Sequence, residues 1–310
     1  MKTTIFSHDT RLSTPSVATL GFFDGVHLGH RHLISQVLTL SGQQGMESMV
    51  VTFRNHPREA LHSDYQPQLL TTYDEKMVLL SKTGIDHCVV IDFNEQWAAM
   101  AARDFMADIL SERLGVKTLV MGYDHHFGRG GQDSPDDFRR YGEETGIEVI
   151  RATPLEMDGC NVSSSLVRRE LKMGCVSRAA SFLGYPFTIM GVVVRGYGEG
   201  RRIGFPTANI RLTDTRQMVP ASGVYAVRVR LANDVHFFNG MMNIGTRPTY
   251  DGHETTLEVH LFNYLGNLYG ETLLVSFVER IRDEQRFSSP EELADQLHSD
   301  ADKVAEVLKL

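Results

Sequence analysis

The chain of 310 residues carries a formal net charge of −8, with 42% hydrophobic and 23% charged residues. A globular protein of about two domains with a large core is expected. The acidic balance argues against a broad basic surface for nucleic acid, while leaving room for local basic pockets.

Cys88, Cys160 and Cys175 form no Cys-x-x-Cys pair. Small buried hydrophobes in a reducing, cytoplasmic setting are therefore expected, not a disulfide framework or a zinc site. Residues 1–8 lack a signal-peptide core. No apolar run approaches the roughly 20 residues of a membrane span.

The first informative stretch is Gly21-Phe22-Phe23-Asp24-Gly25-Val26-His27-Leu28-Gly29-His30. It follows the apolar run Val17, Ala18, Leu20. It precedes a pattern that puts Leu33, Ile34, Val37 and Leu38 on one helical face. A strand, a glycine-rich turn and a helix start are expected, a place where backbone N–H groups and the helix dipole converge on an anion. His27 and His30, three apart, share a helical face and are suited to donate to a phosphate whose charge rises in a transition state. The bland alternative is a pair of surface or capping histidines. No Gly-x4-Gly-Lys-Ser/Thr loop occurs in the chain.

Strand and helix patterns alternate to about residue 174. Strands are expected at 49–53, 87–93, 117–121 and 147–150. A capping box at Thr72–Glu75 opens a helix through Leu80. One long amphipathic helix is expected over 97–114, and Ser134-Pro135 starts another over 136–144. Such alternation predicts a parallel sheet with helices on both faces and ligands at the carboxyl ends of its strands.

Three further stretches fall at strand ends. In 52–57, His56 either contacts a triphosphate or caps a turn. In 122–128, Asp124 either binds a ring ligand or assists a metal, and Phe127 lines a ring pocket. Adjacent His125 and His126 point oppositely in an extended segment, which argues against one shared ion. In 163–168, Ser163, Ser164 and Ser165 open a helix, and Arg168 lies one turn beyond. Either the serines only cap, or hydroxyls, N–H groups and guanidinium face one anion.

Past a domain edge at Gly184-Tyr185-Pro186, the pattern becomes mostly β. Strands are expected at 187–195, 224–231, 236–242, 256–262 and 272–280, followed by a helix over 290–308. A small closed barrel with a helix outside it is predicted. The loop from Gly196 through Gly200, Arg201 and Gly204 misses the dinucleotide spacing by one residue and lacks a βαβ setting. Thr207 and Asn209, two apart, share one face of an extended segment and offer oxygens suited to Mg²⁺; an ordinary Pro-Thr turn is the alternative. Glu258 and His260 face oppositely to Leu257, Val259 and Leu261. Glu258 is either a solvated outer residue or a pocket carboxylate able to take a hydroxyl proton.

These motifs, with Gly223-Val224-Tyr225, 243–249, Leu268-Tyr269-Gly270 and 281–284, resemble the bacterial bifunctional riboflavin kinase/FMN adenylyltransferase (FAD synthetase) family over nearly the full chain. The resemblance implies a Rossmann-like nucleotidyltransferase domain at 1–184 and a flavokinase-type closed β-barrel with a terminal helix at 185–310. It implies two reactions: riboflavin plus ATP giving FMN plus ADP in the second domain, and FMN plus ATP giving FAD plus pyrophosphate in the first.

By the same resemblance, Gly21, Phe22, Asp24, Gly25, His27 and His30 meet ATP, with the histidines catalytic. Ser163, Ser164, Ser165 and Arg168 hold its phosphates, and His56, Asp124 and Phe127 meet the flavin. In the kinase, Gly200, Arg201, Gly204, Thr207 and Asn209 meet ATP, Thr207 and Asn209 hold Mg²⁺, and Glu258 activates the ribityl hydroxyl. Partners are small molecules, with no nucleic acid and no membrane, and a weak homo-oligomer is compatible with the family. Departures are Asn55 before His-Pro, His125-His126 for Phe-Arg, Val162 for Ile and Ser165 for Thr. The competing reading, another nucleotidyl transferase with an unrelated β module, does not call for 204–209 or 257–261.

Overall fold

The computed structural model describes residues 1–56, 59, 67–123, 127–196, 200, 204–249 and 252–309. It divides into two compact units, Met1–Ser163 and Ser164–Leu310.

The first unit holds strands β1 (Lys2–Ile5), β2 (Ser16–Leu20), β3 (Glu47–Phe53), β4 (His87–Ile91), β5 (Val116–Met121) and β6 (Glu148–Arg151), and a two-stranded pair, β7 (Glu156–Met157) and β8 (Cys160–Asn161). The main sheet runs β1-β4-β3-β2-β5-β6, with every neighbouring pair parallel. β2, β3 and β4 are buried along nearly their whole length, because helices cover both faces. Helices α1 (Leu28–Gln44) and α2 (Tyr73–Ser81) bring Ile34, Val37 and Leu80 onto Val17, Val50, Cys88 and Val90. On the other face a π-helix (Phe105–Arg113) brings Phe105, Met106, Ile109 and Leu110 onto Ala18, Met49, Val51 and Val89. The expected capping box at Thr72 and Glu75 opens α2. A second box, Ser134 with Asp137, opens α5 (Pro135–Thr145).

The strand order reverses at β2, which lies between β3 and β5. In such sheets the crevice at the reversal is where ligands bind. The loop that leaves β2 there is the one beginning at Gly21.

The single helix expected over 97–114 is broken. α3 (Glu95–Ala99) ends at Met100, whose backbone is extended, and α4 (Ala102–Asp104) restarts after extended Ala101 and runs into the π-helix. The break admits the chain after β5: Arg129 N–H donates to the Met100 carbonyl, and a Cβ on Gly128 would stand 2.5 Å from the Ala102 nitrogen. Apolar periodicity continues through the break, so the pattern conceals it.

The second unit holds α6 (Ser164–Lys172), α7 (Val176–Leu183), six strands and α8 (Pro290–Leu308). The strands are β9 (Thr188–Val194), β10 (Ala208–Leu212), β11 (Gly223–Leu231), β12 (Phe238–Thr249), β13 (Gly252–Leu261) and β14 (Thr272–Arg282). They close antiparallel in the order β10-β13-β12-β11-β14-β9. Closure needs β10, a strand beyond the five expected. Tyr225, Val227, Met242, Val259, Val275 and Phe277 are fully buried, and alternate residues Ala226 and Met241 pack outward under Val304 and Leu308 of α8.

Helices α6 and α7 group with this unit, although the β pattern alone put the domain edge at 184/185. Their buried face includes Leu166, Val167, Leu171, Ala179 and Phe182, and the Leu171 carbonyl accepts from Ala221 N–H at 3.0 Å.

Candidate functional site

In the first unit the loop after β2 is held in an uncommon backbone. Phe23 and Val26 have φ of 55° and 35°, and Gly25 has 78°. A β-branched residue at positive φ is strained by about 1–3 kcal/mol and persists only where its surroundings over-determine it. Here they do. The buried Asp24 carboxylate accepts from the N–H groups of Leu70 and Thr71 at 3.0–3.1 Å, the Thr71 hydroxyl accepts from Gly25 N–H, and Arg31 Nε donates to the Val26 carbonyl.

His27 caps α1. Its Nδ1 accepts from His30 N–H at 3.2 Å, so in the neutral ring the proton sits on Nε2. The two imidazoles stack, with centroids 3.6 Å apart and planes at 19°, and His30 also meets Phe23 edge-on at 5.1 Å. Gly29 makes this possible: a Cβ there would stand 2.4 Å from the Val162 carbonyl oxygen and 3.1 Å from the His27 ring. The N-terminal turn of α1 thus lies against the chain just before the serine run. This corner offers ring donors, helix N–H groups and a positive dipole end.

His56, after β3, sets its ring against Phe22 at 4.8 Å, which brings the second stretch beside the first. Phe127 is half-buried against Phe105 and Phe138, at 5.6 and 4.8 Å, within the aromatic core. Asp124, with His125 and His126, lies outside the described residues. Ser163 ends the first unit. Ser164 opens α6 in the second, with Ser165 exposed, Arg168 half-buried and Leu166 and Val167 turned inward.

In the second unit Glu258 on β13 pairs with Asn209 on β10 and with Asn243 on β12. Thr207 Oγ1 donates to Glu258 Oε2 at 3.3 Å. Asn209 packs on Gly196, whose hypothetical Cβ would stand 2.1 Å from its amide nitrogen, and a Cβ on Gly200 would stand 2.2 Å from the Phe205 carbonyl. Glycine at 196 and 200 therefore lets the backbone lie close against Asn209 and Phe205. Gly204 has φ of 83°, and Arg201 lies outside the described residues.

Glu258 is not inside the barrel. It lines a cavity of about 290 Å³ bounded by the outer wall and α8, with Phe205, Asn243, His260, Arg282, Phe287 and Leu297. A second cavity of about 110 Å³ lies at Pro206, Val259, Tyr264, Leu268 and Tyr269. Thr207 lines both. Among the described residues no group of three or more His, Cys, Asp or Glu side chains is arranged to hold a metal ion.

The family model described as FAD synthetase matches residues 9–166, and the riboflavin kinase model matches residues 183–308. The bifunctional riboflavin kinase/FMN adenylyltransferase of Escherichia coli (strain K12) is 39% identical over 284 residues, 92% of this chain and 90% of its own. The chain belongs to the bifunctional riboflavin kinase/FMN adenylyltransferase family. The adenylyltransferase module comes first and the kinase module second, in the expected order.

The family's Bacillus subtilis (strain 168) member is 34% identical over 312 residues, covering 97% of this chain and 96% of its own. The crystal structure of a macrolide-efflux protein from Streptococcus pneumoniae superposes with a TM-score of 0.86 at 32% identity, covering 98% of this chain and 99% of that one. Among the described residues here, no helix is long and apolar enough to cross a membrane.

Several residues of these sites escape the sequence reading. Leu70 and Thr71, just before α2, and Lys76 within it hold the β2 loop, although this stretch reads only as the start of a helix. Phe287 lines the larger cavity with Asn243, His260 and Arg282, which were named in the sequence but not as walls of one cavity. Arg282 was legible as part of 281–284 but not as a cavity wall, because that wall requires α8 to fold back over the barrel.

Proposed function

We propose that the two activities of the family divide at 184/185, with adenylyl transfer carried by residues 1–184 and the kinase by residues 185–310. In the latter, riboflavin enters the larger cavity, whose apolar walls suit its ring system, and presents its ribityl hydroxyl to Glu258. Glu258 takes the hydroxyl proton as the oxygen attacks the γ-phosphorus of ATP and ADP leaves. ATP lies on the other side of Thr207, toward the smaller cavity, with Gly200, Arg201 and Gly204 over its phosphates. Thr207 and Asn209 supply hard neutral oxygens. That donor set fits a Mg²⁺ ion that arrives with ATP and keeps waters and phosphate oxygens as its other ligands. Bound there, the ion would neutralise charge on the transferring phosphoryl group. The observation that carries this reading is Thr207, which touches Glu258 and lines both cavities.

In residues 1–184 the phosphate of FMN attacks the α-phosphorus of ATP, and pyrophosphate leaves. The nucleophile is already ionised, so a site of donors suffices. His27 Nε2–H, His30 and the first N–H groups of α1 stabilise the charge that develops. Gly21, Phe22 and Gly25 bring backbone to the nucleotide. Asp24 acts through the loop, since its carboxylate is already engaged by Leu70 and Thr71. Ser163, Ser164, Ser165 and Arg168 hold the departing pyrophosphate. His56, Asp124 and Phe127 form the flavin side. The partners are small molecules and no nucleic acid. The unpaired cysteines fit a reducing, cytoplasmic setting.

The test is a time course with riboflavin, ATP and Mg²⁺, with the flavins separated by chromatography. FMN first and FAD after it is the expected result. FMN without FAD would refute the assignment of adenylyl transfer to residues 1–184.

A further inference from the structure

We propose that Lys76 is a positioning residue of adenylyl transfer: its buried ammonium ties together the ends of β2 and β3 and lends positive charge to the nucleotide loop. This rests on the reading of His27 and His30 as the adenylyl-transfer site.

Lys76 lies on α2 and is 2% exposed. Its Nζ donates to the Phe53 carbonyl at 2.6 Å and to the Phe22 carbonyl at 3.1 Å, and it stands 4.1 Å from the centre of the Phe22 ring. Phe53 ends β3, and Phe22 begins the loop after β2, the adjacent strand. The Phe22 ring in turn supports His56, so one ammonium touches the roots of the loops that leave β2 and β3. Thr52 Oγ1 also donates to the Phe22 carbonyl.

Two donors alone would satisfy these carbonyls, and a neutral side chain could supply them. A charged amine there carries a desolvation penalty, which a field directed at a triphosphate would justify. No carboxylate lies within ion-pair distance of Lys76 among the described residues. The groups around it are Asp24 in the β2 loop, Cys88 on β4 and Tyr73 on α2 itself. Beyond the Tyr73 and Phe22 rings stand Arg54 and His56 after β3. The Asp24 carboxylate is engaged by backbone N–H groups, and burial drives the Cys88 thiol up to about 12, so it stays neutral.

Burial brings Lys76 from 10.5 down to about 8, with Asp24 pulling the other way. The amine is therefore charged below pH 8 and loses its charge as pH rises through 8. The stability sign is opposite. The unfolded chain holds this proton more tightly, so the Lys76 contribution to stability rises between pH 8 and 10.5. Weakened ATP use just above pH 8 would then not be Lys76-driven unfolding.

The experiment uses the full chain, as wild type, Lys76→Gln (a donor without charge), Lys76→Met and His27→Ala. FAD formation from FMN and ATP is followed from about pH 7 to 9, riboflavin kinase activity is measured in the same preparations, and melting is recorded. The expected result for Lys76→Gln at neutral pH is a KM for ATP raised about tenfold, without the roughly hundredfold loss of kcat that removing a direct transition-state donor causes, and with kinase activity unchanged. The wild-type KM climbs toward the Lys76→Gln value above pH 8, while the variant's stays flat.

A wild-type KM that is flat over this range overturns the proposal, even if Lys76→Met fails to fold. So does Lys76→Gln with a wild-type KM and the same alkaline rise. If His27→Ala forms FAD normally, the underlying site reading fails; if His27→Ala is inactive and Lys76→Gln behaves as wild type, only the Lys76 role fails.

Discussion

Glu258 sits in register between Asn209 and Asn243 and accepts from Thr207 at 3.3 Å, on the outer wall of the barrel under α8. The carboxylate therefore faces the larger cavity, beside the side chain that adjoins the second one. Glu258→Gln keeps the shape and removes the proton acceptor. FMN formation is expected to fall by about 10²–10⁴-fold, the range for a positioned general base. FAD formation from supplied FMN should be unchanged. Initial rates of the two reactions, measured separately, check this; equal losses in both would refute the division of labour.

Gly29 and Gly42 both lie in α1, and they should respond oppositely to alanine. At Gly29 the new Cβ would meet the Val162 carbonyl at 2.4 Å, whereas at Gly42 nothing lies within 4 Å. Gly29→Ala must displace backbone or the His27 ring. A loss of about 1–3 kcal/mol, typical of overpacking, and a fall in FAD formation of at least about tenfold are expected, with kinase activity retained. Gly42→Ala should be stabilising by about 0.5–1 kcal/mol through helix propensity. Denaturant melts with paired assays distinguish the two.

The three cysteines provide a labelling test. Cys88 is buried in β4, and burial raises its thiol to about 12, whereas Cys160 is half-buried and Cys175 exposed. A thiol-directed alkylating reagent at about pH 8 should modify Cys175 first and Cys88 only after denaturation. Mass spectrometry of peptides from native and unfolded protein reads this directly.

Both halves of the fold were legible where local chemistry repeats. The alternation around β2 to β5, the Thr72–Glu75 box and the Pro290 helix start are short-range signals, and each appears where expected. What escaped depends on long-range closure. Ala208–Leu212 is five residues long and follows a proline, and becomes a strand only because β9 and β13 flank it. Met100 and Ala101 hold no glycine or proline, so nothing local marks the break that admits Gly128. Lys76, within a helical pattern, reads as solvent-facing until β2 and β3 are laid beneath it. The alternation at 257–261 gave two faces correctly but not which lies outside the barrel, a choice fixed by α8.

The roof of the larger cavity supplies the last prediction. Asp300 on α8 is fully buried and takes Arg282 of β14 at 2.9–3.0 Å through Nε and 2.8 Å through Nη2, while Gln296 donates to the same carboxylate. Arg282 also lies 5.6 Å from the centre of the Phe287 ring. This bond pins α8, and with it Leu293 and Leu297, over the cavity. Removing one partner leaves the other charge buried, at a cost of about 3–5 kcal/mol. Asp300→Ala should therefore lower stability by that order and raise the KM for riboflavin more than the KM for ATP, because the smaller cavity touches neither residue. Arg282→Met combined with Asp300→Leu removes both charges and should recover part of the stability, since an apolar pair of similar volume often replaces a buried ion pair without loss. Denaturation midpoints of the single and double variants, read beside the two KM values, test the link. If Asp300→Ala raised both KM values equally, the pair would serve the barrel as a whole and not the flavin side of it.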